Sequence, residues 1–245
     1  MSASTQPDRH LSKAGTPHPR RKVSAETVLL LGVVVLLALS LILPWWSETE
    51  VGQGPGAVTS TQEYSPFSGV TGSCTPGCSP FFTGPPVGPI QGTHSFSSLG
   101  LNQTSILYDV GLGLIFTGLV ATVLLLAVAR PRPVVPPVSG RARRRMLLLI
   151  LAIVTVTLSS VTLAALQPAT FRSDTMATFG PHDQWTAAPS PETSFWGSCS
   201  VGPASGICAS GWSVSWGPGL GWDAITAAAL VLVAVQLLAW NRTRR

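Results

Sequence analysis

The sequence predicts an integral membrane protein of mainly α-helical fold, a bundle of four transmembrane helices with two long outer loops. Of the 245 residues, 45% are hydrophobic and only 10% are charged, whereas soluble domains carry about 25% charged residues. Four long segments are almost free of ionisable residues, and about 20 apolar helical residues cross a hydrocarbon core of roughly 30 Å. The predicted spans are residues 27–46, 110–129, 146–166 and 222–240.

The first span follows a basic polar tail, residues 1–26, which is predicted to be disordered. A cleaved signal peptide is the alternative, but the leader is long and no small-x-small cleavage site follows the apolar run. Pro44 is predicted to end the helix. Trp45 and Trp46 are predicted interface anchors at the depth of the lipid headgroups. Pro168 stands in the corresponding place after the third span.

The basic residues are concentrated on one side of the predicted spans. Cytoplasmic segments are enriched in lysine and arginine, so both termini and the loop 130–145 are predicted to be cytoplasmic. The loops 47–109 and 167–221 together contain one basic residue, Arg172, and are predicted to be extracellular. The prediction is therefore a multi-pass protein of the plasma membrane. The basic side carries Arg9, Lys13, Arg20, Arg21, Lys22, Arg130, Arg132, Arg141, Arg143, Arg144, Arg145, Arg242, Arg244 and Arg245.

The expected partners follow from this charge distribution. The net charge is +5, but no aromatic or glycine pattern accompanies the basic clusters, so they predict contact with anionic lipids rather than nucleic acid. Other membrane protein subunits, or further copies of this chain, are the predicted protein partners. The proline-rich loop 130–145 is predicted to be a stiff connector, with a polyproline docking site as the alternative.

The two halves of the chain resemble each other. Residues 65–80 and 193–210 share a phenylalanine, a glycine, a Ser-Cys pair and a second cysteine. Asp109 before the second span matches Asp223 before the fourth. Each half therefore reads as a helix, an outer loop and a helix, and the sequence predicts a parallel tandem duplication rather than an inverted repeat.

All four cysteines lie in the predicted outer loops, which is typical of an oxidising compartment. The preferred pairing is within each loop, because Pro-Gly favours a tight turn between the first two cysteines. Four cysteines allow three pairings, so bonds between the loops remain an alternative. The predicted disulfide residues are Cys74, Cys78, Cys199 and Cys208.

The sequence predicts no catalytic residues, no cofactor and no metal site, and hence a protein that is not an enzyme. It has no nucleophile motif, phosphate loop or zinc motif. His94 or His182 would have to complete a thiolate metal site, but the cysteine spacings are not those of paired Cys-x-x-Cys ligands. Transporters usually carry ionisable residues within the bilayer, and these spans have none in their interior.

The second outer loop is rich in tryptophan. Trp212, Val214 and Trp216 alternate with serines, and this period of two predicts a strand with one aromatic face. That face is a candidate binding site for a sugar, a lipid or a partner protein, and the alternative is packing in a small core. Trp222 and Trp240 bracket the fourth span as predicted interface anchors.

Small and hydroxyl side chains in the spans predict helix packing, and a hydrophilic pore lining is the alternative. Asp109 and Asp223 are predicted to lie at the outer N-termini of their helices as caps or interface anchors, where a carboxylate suits the helix dipole. The predicted packing residues are Gly111, Gly118, Thr122, Thr155, Ser159 and Thr162.

Four crossings, inward termini, a large first outer loop and a tryptophan after the first helix resemble the topology of claudin-like tetraspan proteins. The claudin signature places Trp-Gly-Leu-Trp ahead of two first-loop cysteines, whereas no tryptophan lies between Trp46 and Cys74 here. The resemblance implies the four-span arrangement alone. The expected function is that of a non-catalytic accessory or scaffold subunit of a membrane complex. An outward-facing sensor or binding module that uses the second loop is the alternative, and a small transporter or channel is a third.

Overall fold

A computed structural model describes residues 24–52, 57–76, 90–129, 139–180, 190–200 and 212–243. Its four long helices are each long and apolar enough to cross a membrane, which confirms the predicted four-span architecture. They are α1 (Ala25–Ile42), α2 (Asn102–Ala129), α3 (Ser139–Phe179) and α4 (Leu220–Thr243). The predictions for residues 1–23, for the proline-rich stretch 130–138, for Cys78 and Cys208, and for residues 244–245 lie outside the described residues.

The third helix is much longer than its predicted span. It has 41 residues, or roughly 60 Å at 1.5 Å per residue, about twice the hydrocarbon thickness. The prediction that Pro168 follows this helix is wrong, because Pro168 lies inside it. Beyond the proline the helix is held by tertiary packing, since Phe171 is completely buried beneath a β-sheet. Such packing overrides the helix-breaking tendency of a proline.

The two outer loops form one antiparallel six-stranded sheet with the order β4-β3-β2-β1-β6-β5. Among the described residues, the first loop supplies four of these strands and the second loop two, so both loops share one sheet. The described strands do not confirm the predicted tandem duplication. The strands are β1 (Trp46–Gly52), β2 (Thr59–Ser65), β3 (Gly69–Thr75), β4 (Gly92–His94), β5 (Gly197–Cys199) and β6 (Trp212–Pro218).

The sheet is joined to α1 and α4 at a compact junction. Helix α1 leads into β1 and β6 leads into α4, and these two connections are hydrogen-bonded to each other. The Gly219 N–H donates to the Trp45 carbonyl at 3.0 Å, and the Gly221 N–H donates to the Pro44 carbonyl at 2.8 Å. A Cβ atom on Gly221 would lie 2.6 Å from Trp45 Cδ1, so a glycine is required for this close approach. The sheet therefore has a fixed position on the bundle.

Candidate functional site

The tryptophan pair that follows α1 lies inside the protein. Trp45 and Trp46 are each only 1% exposed, so the prediction that they anchor the chain at the lipid headgroups is wrong. The Trp45 Nε1–H donates to the Ser40 carbonyl at 2.7 Å, and the Trp46 Nε1–H donates to the Phe195 carbonyl at 2.8 Å. Because both indole N–H groups have partners within the protein, neither ring needs the polar membrane interface.

The pairing register gives the sheet two chemically different faces. Residues directly opposite each other on antiparallel strands have side chains on the same face, and residues two apart share that face. Trp46, Glu48 and Glu50 of β1 therefore lie on one face, which we call the inner face. Its other members on the neighbouring strands are Tyr64, Gln62, Ser60, Val70, Gly72, Cys74, Val214, Trp216, Gly197 and Cys199.

The inner face packs against the helices. The Trp46 ring lies 5.8 Å from the Phe171 ring of α3, and the Tyr64 ring lies 6.2 Å from it. Trp45, which precedes β1, stacks on Tyr108 of α2 with ring centroids 5.1 Å apart. The centre of the sheet is therefore removed from water by the outer ends of α2 and α3.

Two carboxylates lie on this buried face. Glu48 is 1% exposed and Glu50 is 6% exposed, although charged carboxylates are almost never fully buried without a partner. In the register, Gln62 of β2 and Trp216 of β6 lie on either side of Glu48, while Ser60 and Val214 lie on either side of Glu50. The carboxylates thus stand two residues apart on the central strand, between strands from both outer loops.

The buried carboxylate pair has little hydrogen-bonding support among the described residues. Neither carboxylate oxygen of Glu48 has a hydrogen-bond partner there, and the Ser60 hydroxyl has none either. Tyr64 donates its hydroxyl to Gln62 Oε1 at 3.4 Å, and so does not reach Glu48. The described part of the chain contains one salt bridge, at the other end of the bundle, so no cation neutralises these acids within it.

Burial raises the pKa of both acids. The pKa of Glu48 lies well above its ordinary value, first because of desolvation and second because of the nearby Glu50 charge. Desolvation raises the pKa of Glu50 from 4.5 to about 7. The pKa of Tyr64 is raised by burial and further by the Glu48 charge. Burial therefore favours the protonated form of both acids, and Glu50 is the one whose pKa falls near neutral pH.

Other titratable groups lie near this face. Tyr64 projects from β2, His94 of β4 is paired with Val70, and Tyr108 lies on α2. The His94 Nε2 atom lies 3.1 Å from the Gln91 carbonyl rather than at the acids. No group of three or more potential metal ligands occurs among the described residues. The chemistry that this arrangement supports is reversible proton binding by a carboxylate pair.

The opposite face of the sheet carries short hydroxyl side chains and is partly or fully exposed. We call it the hydroxyl face. It is interrupted by Val51 and Glu63, which are both exposed. Its hydroxyl members on five strands are Ser47, Thr49, Thr59, Thr61, Thr71, Ser73, Thr75, Ser198, Ser213 and Ser215. Both outer loops therefore contribute to one continuous polar surface.

The predicted aromatic strand exists, but its aromatic face is the inner face. Val214 is 2% exposed and Trp216 is 5% exposed, and the Trp216 Nε1–H donates to the Ser194 carbonyl at 3.0 Å. Trp212 belongs to the same strand. Val214 and Trp216 of the candidate binding face are thus packed in the protein core, which was the alternative explanation.

The cysteines stand at opposite ends of the sheet. Cys74 pairs with Ser60, and the same row continues through Glu50 and Val214 to Cys199. Four strand spacings of about 4.8 Å separate the ends of this row, roughly 19 Å in all, whereas disulfide Cα atoms lie within about 7 Å. Neither Cys74 nor Cys199 is a free thiol. The sheet thus excludes a Cys74–Cys199 bond and leaves two of the three pairings.

The predicted packing residues are brought together between α2 and α3. The Ser159 hydroxyl donates to the Gly111 carbonyl of α2 at 3.2 Å. A Cβ atom on Gly118 would lie 2.5 Å from Val156 Cγ2 and 3.1 Å from Thr155 Oγ1. Thr122 is buried and donates to a carbonyl of its own helix, as does Thr155. Thr162 is half-buried.

The acids at the helix ends have different roles from each other. Asp223 lies in the first turn of α4, as predicted. Asp109 lies in the third turn of α2 and is exposed, so the prediction that it caps this helix is wrong. The cap comes instead from α3, because Asp174 accepts hydrogen bonds from the Gln103 and Thr104 N–H groups, both at 2.8 Å.

The two predicted tryptophan anchors of the fourth span, Trp222 and Trp240, also differ from each other. The Trp222 Nε1–H donates to the Ser160 carbonyl of α3 at 3.0 Å, so this residue links two helices. Trp240, at the opposite end of α4, is 53% exposed, and its role as an interface anchor stays a prediction.

Sequence reasoning missed the carboxylate pair and Asp174. The segment WSETE is predicted to lie at the start of the first outer loop, and no role is predicted for its acids. The alternation of Trp46, Glu48 and Glu50 is a period-two signal that places both acids on the face of a buried tryptophan. Asp174 gave no such signal, because its role depends on the continuation of α3 past Pro168.

No known protein family matches this chain, and no curated protein matches its sequence. The class that the fold defines is therefore that of a four-helix, multi-pass membrane protein with a sheet at one end of the bundle.

Proposed function

We propose that the protein is a non-catalytic accessory or scaffold subunit of a membrane or cell-surface complex, and that the hydroxyl face is its partner-binding surface. The observation that supports this most directly is the continuity of that face across strands from both loops. Serine and threonine side chains lose little conformational entropy when a partner covers them. They also offer donors and acceptors close to the sheet backbone.

The hydroxyl face includes a shallow concavity. A groove of about 440 Å³ is open where β1, β6 and β5 meet, a volume within the range of binding sites. Thr49, Val51, Ser213 and Ser215 are among the residues that line it. Val51 and Val214 are the large apolar residues of the lining, and serine and threonine make up most of the rest. A partner segment that combines a polar backbone with a small apolar side chain would suit this lining.

The orientation of the sheet follows from the arginines. Among the described residues, a cluster of four arginines lies within five positions near the N-terminus of α3, namely Arg141, Arg143, Arg144 and Arg145. Arg172 lies near the end of α3 that faces the sheet. Positive-inside topology would make the basic end cytoplasmic and the sheet extracellular, with the protein in the plasma membrane. A membrane-impermeant thiol reagent applied to intact cells would then label Ser73→Cys but not Ala142→Cys.

The predicted disulfides are part of this proposal. Cys74–Cys78 and Cys199–Cys208 would each close a short loop, the first at the end of β3 and the second at the end of the edge strand β5. Bonds of this kind are stable in an extracellular compartment, and they would hold the two ends of the hydroxyl face in shape.

The test is the mass and composition of the protein purified from its native membrane in mild detergent. We expect a second protein, or further copies of this chain, at fixed stoichiometry. Ser215→Arg, in the groove of the hydroxyl face, should release that partner. Asn102→Arg is the matched control, because Asn102 is also exposed but lies at the start of α2 on the helical side of the sheet. A wild-type protein that is strictly monomeric and partner-free would contradict the proposal.

A second candidate function is an outward-facing sensor, and the carboxylate pair favours it. Trp216 from the second loop lies beside Glu48 in the register, so the tryptophan-rich loop would respond to the charge on this site. Acidification through neutral pH would protonate Glu50 and strengthen the sheet. Tryptophan emission that follows a transition near pH 7 in the wild type, and is flat in Glu50→Gln, would support this function; the same transition in both proteins would remove its basis.

A further inference from the structure

A second cavity lies at the basic end of the bundle, far from the sheet. It has a volume of about 500 Å³, which is within the usual range of ligand sites. Three helices form its wall where α1 begins, where α3 begins and where α4 ends. The lining includes Glu26, Arg145, Met146, Leu149, Gln236 and Trp240.

The cavity changes from charged to apolar along its length. Arg145 forms an ion pair with Glu26, and the arginine side chain remains 38% exposed. From Met146 onward α3 is apolar, and Leu149 lies one turn deeper in the same cavity. A ligand that fits this gradient is amphipathic, with its polar end at Arg145 and its apolar end toward the membrane interior.

Helix geometry places two more arginines beside the mouth of the cavity. With 100° per residue, the cavity-lining positions 142, 145, 146 and 149 form one stripe of α3. Arg141 and Arg143 lie on the two flanks of that stripe, whereas Arg144 points to the opposite side. All three are exposed, and none has an ion-pair partner among the described residues.

We propose that this cavity binds one anionic phospholipid. Its phosphate would lie between Arg141, Arg143 and Arg145, and an acyl chain would pack against Met146 and Leu149. Basic pockets between transmembrane helices are suited to acidic headgroups. Arg145 lines the cavity, and Arg141 and Arg143 flank the lining stripe of α3, so this end of the cavity carries a net positive charge. The ligand is a lipid rather than free phosphate, because the wall below the arginines is apolar and continues into the exposed apolar surface of α3, where Leu147 and Ile150 are exposed.

Glu26 has a specific part in this site. Its carboxylate neutralises part of the Arg145 charge and fixes the position of that guanidinium. Glu26→Gln should free Arg145 to bind phosphate more strongly, and lipid affinity should rise. If Glu26 acts through Arg145, the higher lipid affinity of Glu26→Gln should disappear in the double variant Glu26→Gln, Arg145→Gln. If Glu26 instead repels the lipid directly or has only a structural role, the higher affinity should not require Arg145.

The experiment is native mass spectrometry of the full-length protein, titrated in mild detergent with phosphatidylglycerol, phosphatidylcholine or glycerol 3-phosphate. We expect one phosphatidylglycerol to be retained in preference to phosphatidylcholine, and no retention of glycerol 3-phosphate. Each basic residue near a charged lipid is worth roughly a five-fold change in affinity. Arg141→Gln with Arg143→Gln should therefore weaken phosphatidylglycerol binding by an order of magnitude or more, and the matched control Arg144→Gln by about two-fold or less.

A second variant separates the cavity from surface charge. Ala239→Phe places a phenyl ring in the cavity without altering any charge and should weaken retention of the lipid, in protein that elutes and unfolds like the wild type. Three results would each overturn the proposal. They are equal retention of the two phospholipids, an equal loss of phosphatidylglycerol binding in Arg144→Gln and in Arg141→Gln with Arg143→Gln, and retention of glycerol 3-phosphate. If Ala239→Phe does not fold, the arginine variants alone decide the matter.

Discussion

At the scale of single residues, the most unusual feature is a pair of carboxylates on the buried face of a sheet. Glu48 and Glu50 occupy positions where the neighbouring inner-face residues are aromatic or uncharged. An ionised carboxylate in such a place is unfavourable without a partner. The physical consequence is that the stability of the sheet depends on protonation.

Glu50→Gln should make the protein more stable at neutral and alkaline pH. The folded-state pKa of Glu50 is raised to about 7 from 4.5, so the wild-type protein has the full stabilisation from this proton below about pH 4.5. It loses that stabilisation as the pH rises through 7. At 1.36 kcal/mol per pKa unit the loss is on the order of 3 kcal/mol.

The measurement is the thermal unfolding midpoint in detergent at pH 5 and pH 8. The wild type should unfold at a lower temperature at pH 8, and Glu50→Gln should reduce this difference. Glu63→Gln is the control, because Glu63 is exposed on the neighbouring strand. An unchanged pH dependence in Glu50→Gln would show that this carboxyl group is not the titrating one.

Asp174→Ala should destabilise the contact between α3 and the start of α2. It would leave the Gln103 and Thr104 N–H groups without their acceptor, at a cost of about 1–3 kcal/mol. Asp109→Ala, which removes an exposed carboxylate from α2, should have little effect on stability. Comparison of the three unfolding midpoints measures this, and equal midpoints for Asp174→Ala and Asp109→Ala would refute the capping role.

At the scale of the elements, the helices were predictable and the sheet was not. Runs of about 20 apolar residues are a strong local signal, and each of the four corresponds to a long helix. The predicted end of the first span at residue 46 is wrong, because α1 ends at Ile42 and Trp46 begins β1. The continuation of α3 beyond Pro168 depends on Phe171 and Asp174 meeting partners distant in sequence. The pairing of β1 with β6 joins residues far apart in the chain, and no local pattern specifies such a partner.

The contact between α2 and α3 should depend on one glycine and not on its neighbour. Gly118→Ala would place a methyl group 2.5 Å from Val156 Cγ2, whereas a Cβ atom on Gly113 meets nothing within 4 Å. We expect Gly118→Ala to destabilise the protein by about 1–3 kcal/mol through overpacking. Gly113→Ala should be neutral or stabilising by up to about 1 kcal/mol. Unfolding in detergent distinguishes the two, and similar effects would mean that this close packing is absent.

Disulfide mapping should never recover a bond between Cys74 and Cys199. The two residues lie at opposite ends of one row across the sheet, too far apart for a bond. Peptide mass mapping of the non-reduced protein should find one of the other two pairings, and within-loop bonds are preferred. A Cys74–Cys199 peptide would contradict the strand order itself.

At the scale of the whole molecule, four helices support one sheet whose outer side offers hydroxyl groups from both loops. The membrane architecture was predictable because lipid imposes a composition on every span. The shared sheet was not, because the sequence pattern suggested two similar halves while the strands combine in one surface. The proposed function therefore depends most on both loops presenting a single partner-binding face.

Site-specific photo-crosslinking in the native membrane tests that claim most directly. A photoreactive side chain would replace Ser73 of β3 in the first loop, Ser215 of β6 in the second, or Asn102 on the helical side as a control. We expect crosslinks to the same partner from positions 73 and 215, and none from position 102. Different partners from the two loops, or equal crosslinking from Asn102, would contradict it.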